Sequence, residues 1–338
     1  MKAAPEPPIP LRRARRMARD ILVGLLGGKV RRLTVLATGR TKIVFHASHN
    51  KGGFIVRLGV HPAKINEFLK EQWATEAARN AGVPCPEILE VGAALAPVPY
   101  MVARAVRGRC AVDHPDREKV LMELGGIAAV LHGVRTQGFG STFDWSHNRL
   151  TRHASLGSHL REELGARRRL ARLRELKLIT TAQERAHAAV LAVLEGYEGP
   201  TSLNHGDLRL KNVFLDTRGR IEALIDWDSC LAWPAPYWDL SICLHDLGVD
   251  EKEAFLHGYG LAPARLAELA PVMRLLNVIN YLPAAERALR RGDQVKLEWM
   301  AARLRGDFDL YCPSQSPSRR DIPPKSAPDS KSSIQAGA

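Results

Sequence analysis

The sequence predicts an α+β chain of two lobes, a small lobe of five strands followed by a larger and mostly helical lobe. Short β-rich runs separated by glycine turns fill residues 33–104, with one helical stretch among them. Most of the chain after residue 104 shows apolar residues at three-and-four spacing. The chain has 338 residues, 45% of them apolar, which suffices for two packed lobes with polar ends. It divides into an N-terminal extension (1–32), a small lobe (33–104), a large lobe (105–312) and a tail (313–338).

In the small lobe, residues 33–38 and 42–47 read as strands around the turn Gly39-Arg40-Thr41, and residues 54–58 as a third strand after a turn at 50–53. Residues 64–81 read as a helix, because Gly82 follows the last turn and Pro84 comes soon after. Residues 88–91 and 100–103 complete the five strands. In the large lobe, residues 117–132, 156–176, 180–194, 238–247, 250–259 and 263–281 read as helices.

Residues 205–212 read His-Gly-Asp-Leu-Arg-Leu-Lys-Asn, and Ile225-Asp226-Trp227-Asp228 comes soon afterwards. Val213-Phe214-Leu215 and Ile221 flank the turn signal Asp216-Thr217-Arg218-Gly219. The whole reads as loop, strand, tight turn, strand, acidic loop. Asp207, Asn212 and Asp226 then project from the ends of one hairpin. Phosphoryl transfer from a nucleotide needs such groups. One carboxylate accepts the proton of an attacking hydroxyl, while an amide oxygen and a second carboxylate hold magnesium on the phosphates. Protein kinases space Asp-x4-Asn and a later metal-binding Asp in the same order. Taken singly, these residues also suit turns and caps; the spacing of the three together favours chemistry. His205 reads as a structural residue of the loop, since Asp207 fills the role of base. Asp228 reads as the cap of the next turn rather than a second metal ligand. Lys211 could neutralise the γ-phosphate or be solvated.

His-Gly-Asp-x4-Asn followed by Ile-Asp-Trp-Asp resembles the signature of the aminoglycoside phosphotransferase-like family, which has a protein-kinase-like fold. The resemblance covers residues 33–305. Residues 124–132 with Gly138-Phe139-Gly140 look like the family's first large-lobe helix and the loop after it. Asp239, in Trp238-Asp239-Leu240, looks like its acidic residue after the metal loop. The resemblance implies a small-molecule kinase with a nucleotide-binding small lobe, using ATP, or GTP in its place, and Mg2+. Asp207 would be the base, with the metal on Asn212 and Asp226. Gly39 would lie over the phosphates, where a glycine turn lets backbone N–H groups approach. Arg57 stands where a protein kinase has lysine, as in many members of the family, and a guanidinium can bind phosphate in a bidentate way. The helix offers Glu67, Glu71 and Glu76 as partners for Arg57, and the family's spacing before the Gly-Val-Pro turn selects Glu71. Backbone groups near Val102–Ala105, Val102 and Ala103 among them, run into the hinge and would meet an adenine edge.

Two other classes compete with this reading. Arg57 and the sparse glycine loop would suit a catalytically silent nucleotide-binding module. A protein Ser/Thr kinase is disfavoured, because no Ala-Pro-Glu follows Asp226 and the interval to Asp239 is short.

The net charge of +13 sits mostly at the ends: residues 1–32 carry +7 and the tail +2, leaving +4 for the body. A body so mildly basic argues against nucleic acid as a specific partner. Leu11, Ala14, Met17, Ile21 and Leu25 recur at helical spacing with arginines between them. Such a helix could lie on an anionic membrane surface through residues 11–26, or cover the small lobe with its apolar stripe. The run 21–26 is short for a signal peptide, and no apolar run reaches the length of a span. Five scattered cysteines without metal spacing suggest free thiols in a reducing cytoplasm. The tail, rich in Ser, Pro, Lys and Asp, is expected to be disordered. The phosphate acceptor is expected to be a small hydroxylated molecule, with residues 270–305 helping to line its site. Residues 161–177 are dominated by arginine, so a neutral or anionic metabolite suits the chain at least as well as a polycationic aminoglycoside.

Overall fold

The computed structural model describes residues 9–39, 41–150 and 153–304; the tail expected to be disordered lies outside the described residues, as does Arg40 of the first turn. Chain order begins with α1 (Leu11–Leu26), β1 (Val30–Thr38), β2 (Lys42–His49), β3 (Gly52–Gly59), α2 (Lys64–Asn80), β4 (Ile88–Gly92) and β5 (Tyr100–Arg104). The five strands form one antiparallel sheet in the order β1-β2-β3-β5-β4. β2 alternates strictly between half-buried and buried positions, the two-residue period of a sheet covered on one face. Ile43, Phe45 and Ala47 of β2 and Val56 and Leu58 of β3 pack in one core with Ala14, Met17, Ala18, Ile21 and Leu22 of α1.

That packing fits the second of the two roles open to the N-terminal helix. Its buried stripe covers the sheet, while Leu11 and Val23 stay exposed. Arg15 also donates to the Leu33 carbonyl at 2.8 Å, fastening the helix to β1.

The large lobe continues with β6 (Arg109–Cys110), α3 (Arg117–His132), β7 (Arg135–Thr136), a single turn α4 (Leu156–Ser158), α5 (Ala166–Glu175), α6 (Thr181–Glu195), β8 (Thr201–Asn204), β9 (Val213–Leu215), β10 (Ile221–Leu224), β11 (Leu231–Trp233), α7 (Tyr237–Cys243), α8 (Val249–Tyr259), α9 (Pro263–Arg291) and α10 (Gln294–Leu304). Two small antiparallel sheets, β10-β9-β6 and β11-β8-β7, form the floor against which these helices pack. No helix among the described residues is long and apolar enough to cross a membrane.

Three helical stretches differ from the sequence reading, and the short strands β6, β7, β8 and β11 are additions to it. The helix expected over 156–176 is interrupted. Its first part ends in a π turn, His159–Glu163, and Gly165 then takes a left-handed conformation (φ 62°) before α5 begins. The helix expected to stop at 281, before Pro283, runs on to Arg291 with Pro271 and Pro283 inside it. Proline removes one backbone donor, and burial of Leu282, Ala285 and Ala288 outweighs that loss. The helix at 294–304 is an addition.

Ile21 is fully buried between α1 and the sheet. Ile21→Ala should therefore lower stability by about 3 kcal/mol, measured as a shift in the midpoint of chemical unfolding.

Candidate active site

The His205-Gly206-Asp207 loop leaves the end of β8 and is held by one buried carboxylate. Asp239, on the first turn of α7 and wholly inaccessible, accepts the backbone N–H of His205 at 2.7 Å and of Gly206 at 2.8 Å. His132 at the end of α3 brings Nε2 to 3.2 Å of the same carboxylate, and its Nδ1 lies 2.8 Å from the Tyr259 hydroxyl. Burial works against the charge on Asp239, but the hydrogen bond and charge of His132, His205 and the Gly206 N–H outweigh it and hold its pKa below the ordinary carboxylate range. Gly206 has φ 84°, and a Cβ there would lie 1.9 Å from the Ser229 carbonyl oxygen, so the loop turns where only glycine fits.

His205 is fully buried, and burial depresses its pKa. The neutral ring accepts from the Asp207 N–H at Nδ1 (3.2 Å) and donates from Nε2 to the Ile225 carbonyl (3.0 Å). Both nitrogens are thus used to tie the loop to the far end of the hairpin, and neither is left to act as a base.

Asp207 comes next, at the edge of the cleft. Asn212 Nδ2 donates to its backbone carbonyl at 2.8 Å and its Oδ2 at 3.1 Å, Arg209 lies 3.1 Å from Oδ1, and Lys211 lies 2.6 Å from Oδ2. Asn212 accepts the Ile225 N–H at its carbonyl (2.9 Å), which fixes it one residue away from Asp226 across the β9–β10 hairpin. Asp216 closes that hairpin by accepting the N–H groups of Arg218 and Arg220. Asp226 itself has φ 66° and ψ 62°, a left-handed conformation that aspartate tolerates better than bulkier residues. The structure therefore brings Asp207, Asn212 and Asp226 together at one end of the hairpin.

The small lobe supplies cations from above. Arg57 of β3 donates through Nη1 to Glu71 of α2 at 2.8 Å, and its Nη2 lies 3.6 Å from Asp226. Burial raises the Glu71 carboxyl above its ordinary value, with Arg57 the main opposing charge. Glu67 pairs instead with Lys64. Lys42 of β2, which the sequence reading did not single out, places Nζ 3.6 Å from Asp226 and 3.0 Å from Asp228. Sheet register explains its position: Val44 pairs with Arg57, so Lys42, two residues earlier, shares the face of Arg57 that looks onto the cleft.

Three expectations are corrected by these contacts. Asp228 does not cap the following turn; it pairs with Lys42 and accepts from Ser229 Oγ, and Lys42 outweighs the opposing effect of burial to lower its pKa. Gly39 does not offer its N–H to a phosphate, because that group donates to the Lys42 carbonyl at 2.9 Å and closes the turn. Val102 and Ala103 have no backbone to spare for adenine. β5 is an interior strand, in register with β3 on one side and β4 on the other, so the ladders consume both residues.

Beside Asp207 a cavity of about 700 Å³ opens into the large lobe. Arg209, Trp238, Asn277, Asn280 and Tyr281 line it together with Asp207, and Lys70 of α2 and Arg169 of α5 add positive charge to its wall. Of the expected stretch 270–305, α9 contributes Asn277, Asn280, Tyr281 and Ala284. Lys70 is buried and donates to the Cys230 carbonyl at 3.4 Å; nothing in its sequence setting marks it.

The Asp239 clamp makes stability sensitive to acid. Its folded pKa lies below the unfolded value of about 3.9, so its contribution is complete above that value and is lost as pH falls below it. Asp239→Asn should be less stable than the wild type by about 3 kcal/mol at pH 7. That difference should narrow below about pH 4, read from unfolding midpoints of the two proteins across the acid range.

Among solved structures, a thermostable mutant of aminoglycoside phosphotransferase APH(4)-Ia, in ternary complex with AMP-PNP and hygromycin B, is similar to this chain with a TM-score of 0.62 and 19% identity, over 88% of this chain and 99% of that one. Macrolide 2'-phosphotransferase MphH from Brachybacterium faecium is similar with a TM-score of 0.54 and 19% identity, over 85% and 97%. Macrolide 2'-phosphotransferase type I gives a TM-score of 0.56 and 15% identity, over 88% and 98%. These likenesses establish the kinase-like fold. No curated protein sequence matches the chain. Residues 32–273 match the model of the phosphotransferase enzyme family. Because that match spans most of the chain and contains the clamped loop, the hairpin and both cations above them, the protein belongs to the phosphotransferase enzyme family.

Proposed function

We propose that the protein transfers the γ-phosphate of ATP to a hydroxyl group of a small molecule bound in the cavity beside Asp207. The observation that carries this reading is the position of Asp207. It lines the acceptor cavity on one side, and on the other it is hydrogen-bonded to Asn212, next to Asp226 and the cations of the small lobe. The solved relative with AMP-PNP and hygromycin B holds a nucleotide analogue and a hydroxylated acceptor together, and the reading carries that arrangement to this chain.

In this mechanism Asp207 orients the acceptor hydroxyl and takes its proton as the oxygen attacks. Lys211 and Arg209 beside it would stabilise the negative charge of the transferring group. Arg57, held by Glu71, and Lys42 would meet the phosphates. Adenine would rest against backbone beyond Arg104, where β5 leaves the sheet. Asn212, Asp226 and Asp228 fit magnesium: the Asn212 amide nitrogen is spent on Asp207, which leaves its Oδ1 free to join the clustered carboxylates of Asp226 and Asp228 in the all-oxygen donor set that a hard cation takes. Magnesium held there would neutralise phosphate charge and keep the nucleotide in line with the acceptor.

The cavity wall favours a neutral or anionic acceptor. Lys70, Arg169 and Arg209 stand against Glu163, Asp207 and Asp228 there, an even balance that offers a polycation no net attraction.

Thermal-shift titration with ATP and magnesium should show a magnesium-dependent rise in melting temperature. Turnover of Asp207→Asn, measured on a panel of hydroxylated acceptors, should fall by about 10²–10⁴-fold with the nucleotide-induced rise retained. Residual activity equal to the wild type would remove Asp207 from the role of base.

A further inference from the structure

We propose that His153, His159 and Glu163 form a binding site for a zinc-class divalent cation in the wall of the acceptor cavity, separate from the nucleotide metal. The three residues put their ligand atoms within 4.8 Å of one another. Glu163 Oε2 lies 2.9 Å from His153 Nε2 and 3.3 Å from His159 Nδ1. Donors held tetrahedrally at about 2.0–2.1 Å from one ion stand about 3.3 Å apart, so the cluster is close to the spacing a metal imposes. Two imidazoles and a carboxylate form the donor set of an open zinc site, in contrast to the all-oxygen group around Asp226.

An independent observation points to a ligand. His159 is only 2% exposed; its Nε2 makes no hydrogen bond among the described residues, and its Nδ1 meets only the Glu163 carboxylate. A buried imidazole nitrogen left without a partner is costly, which favours a ligand that uses the ring. The His159 Nδ1 faces the Glu163 carboxylate at 3.3 Å. A divalent cation between them would replace the proton that an imidazole–carboxylate pair otherwise shares.

Local structure is shaped around this cluster. The π turn His159–Glu163, closed by the Leu164 N–H on the His159 carbonyl at 3.0 Å, sets the offset of the histidine and the glutamate. Gly140, at φ 106°, leaves the space beside them open: a Cβ there would lie 2.6 Å from His159 Nδ1 and 2.8 Å from Glu163 Oε2. Ser141 donates through its N–H (3.1 Å) and its hydroxyl to Glu163 Oε1, fixing the carboxylate from behind as an outer-shell donor fixes a metal ligand. His159 and Glu163 both line the cavity, so a fourth coordination position would face the acceptor and take one of its oxygens.

The site is tested with the full-length protein, stripped by chelator and titrated with Co2+ in excess Mg2+, so that the Glu71, Asp226 and Asp228 carboxylates are already occupied. The expected result is one cobalt per chain, with the visible d–d absorption of a low-coordinate nitrogen–oxygen site, no thiolate charge-transfer band, and displacement by Zn2+. His159→Ala and Glu163→Gln should each weaken cobalt binding on the order of tenfold or more. The melting temperature of each metal-free variant, compared with that of metal-free wild type, separates lost coordination from lost folding. Absence of the absorption in wild type would overturn the proposal. So would a thiolate band, or equal binding by a folded His159→Ala or Glu163→Gln. None of these readouts requires phosphotransfer, so this site and the kinase reading fail independently.

Discussion

A single buried carboxylate sets the geometry of the catalytic end of this molecule. Asp239 is without solvent contact, yet it stays charged because two backbone N–H groups and His132 converge on it. A charge taken out of water is tolerated only with such a set of donors, and once satisfied it resists displacement. The donors come from the His205-Gly206 loop and from α3, so the clamp fixes the loop relative to the helical lobe. His205 extends the hold to the Ile225 carbonyl, and Asn212 ties the hairpin back to Asp207. Positions 207, 212 and 226 are thereby held by one continuous polar network rather than by three separate loops.

Anions and cations of the site come from different lobes. Asp207, Asn212, Asp226 and Asp228 belong to the large lobe, and Lys42 and Arg57 to the sheet above it. Lys42 sits between Asp226 and Asp228, and Arg57 reaches toward Asp226. The same cations would be drawn to phosphate when a metal neutralises the aspartates. These pairs hold the lobes in register while leaving both partners available for exchange, because they are part-exposed and individually modest in strength. The Arg57–Glu71 pair is different: it is buried and hydrogen-bonded, which fixes the guanidinium on α2.

Much of this was legible in the sequence where chemistry and local periodicity coincide. The hairpin could be read because its strands alternate, its turn carries Asp-Thr-Arg-Gly, and its functional residues lie within some twenty positions of each other. α3 was read at its true boundaries, and the structure adds Asp116 as its cap, accepting the Lys119 N–H. Lys42 was missed because its role depends on which face of β2 meets the cleft, and that is set by pairing with Arg57 rather than by any motif. Gly39, Val102 and Ala103 failed for a related reason. Their backbone groups are spoken for by a turn and by neighbouring strands, and hydrogen-bond partners of backbone atoms leave no trace in side-chain identity. The break at 159–165 was hidden because apolar spacing continues through it, so only the left-handed Gly165 and the π turn reveal it.

The least legible region is also the one that determines the acceptor. The phosphate side needs a few obligate groups at fixed spacing, which one hairpin and one sheet can present. The acceptor cavity is assembled from the segment at 141, the π turn at 159–163, α5, α7 and α9, and each contributes only one to a few side chains. No short stretch of sequence therefore carries the shape or the charge of that cavity. What the assembly provides is a mixed wall: the cations Lys70, Arg169 and Arg209, the carboxylates of Asp207 and Asp228, the amides of Asn277 and Asn280, the rings of Trp238 and Tyr281, and a histidine–carboxylate cluster at its edge. On the proposed reading, an acceptor would offer hydroxyls to the amides and no strong positive charge to so evenly balanced a wall. Specificity would then reside in charges that were brought together by tertiary packing, and reactivity in those that the hairpin already holds side by side.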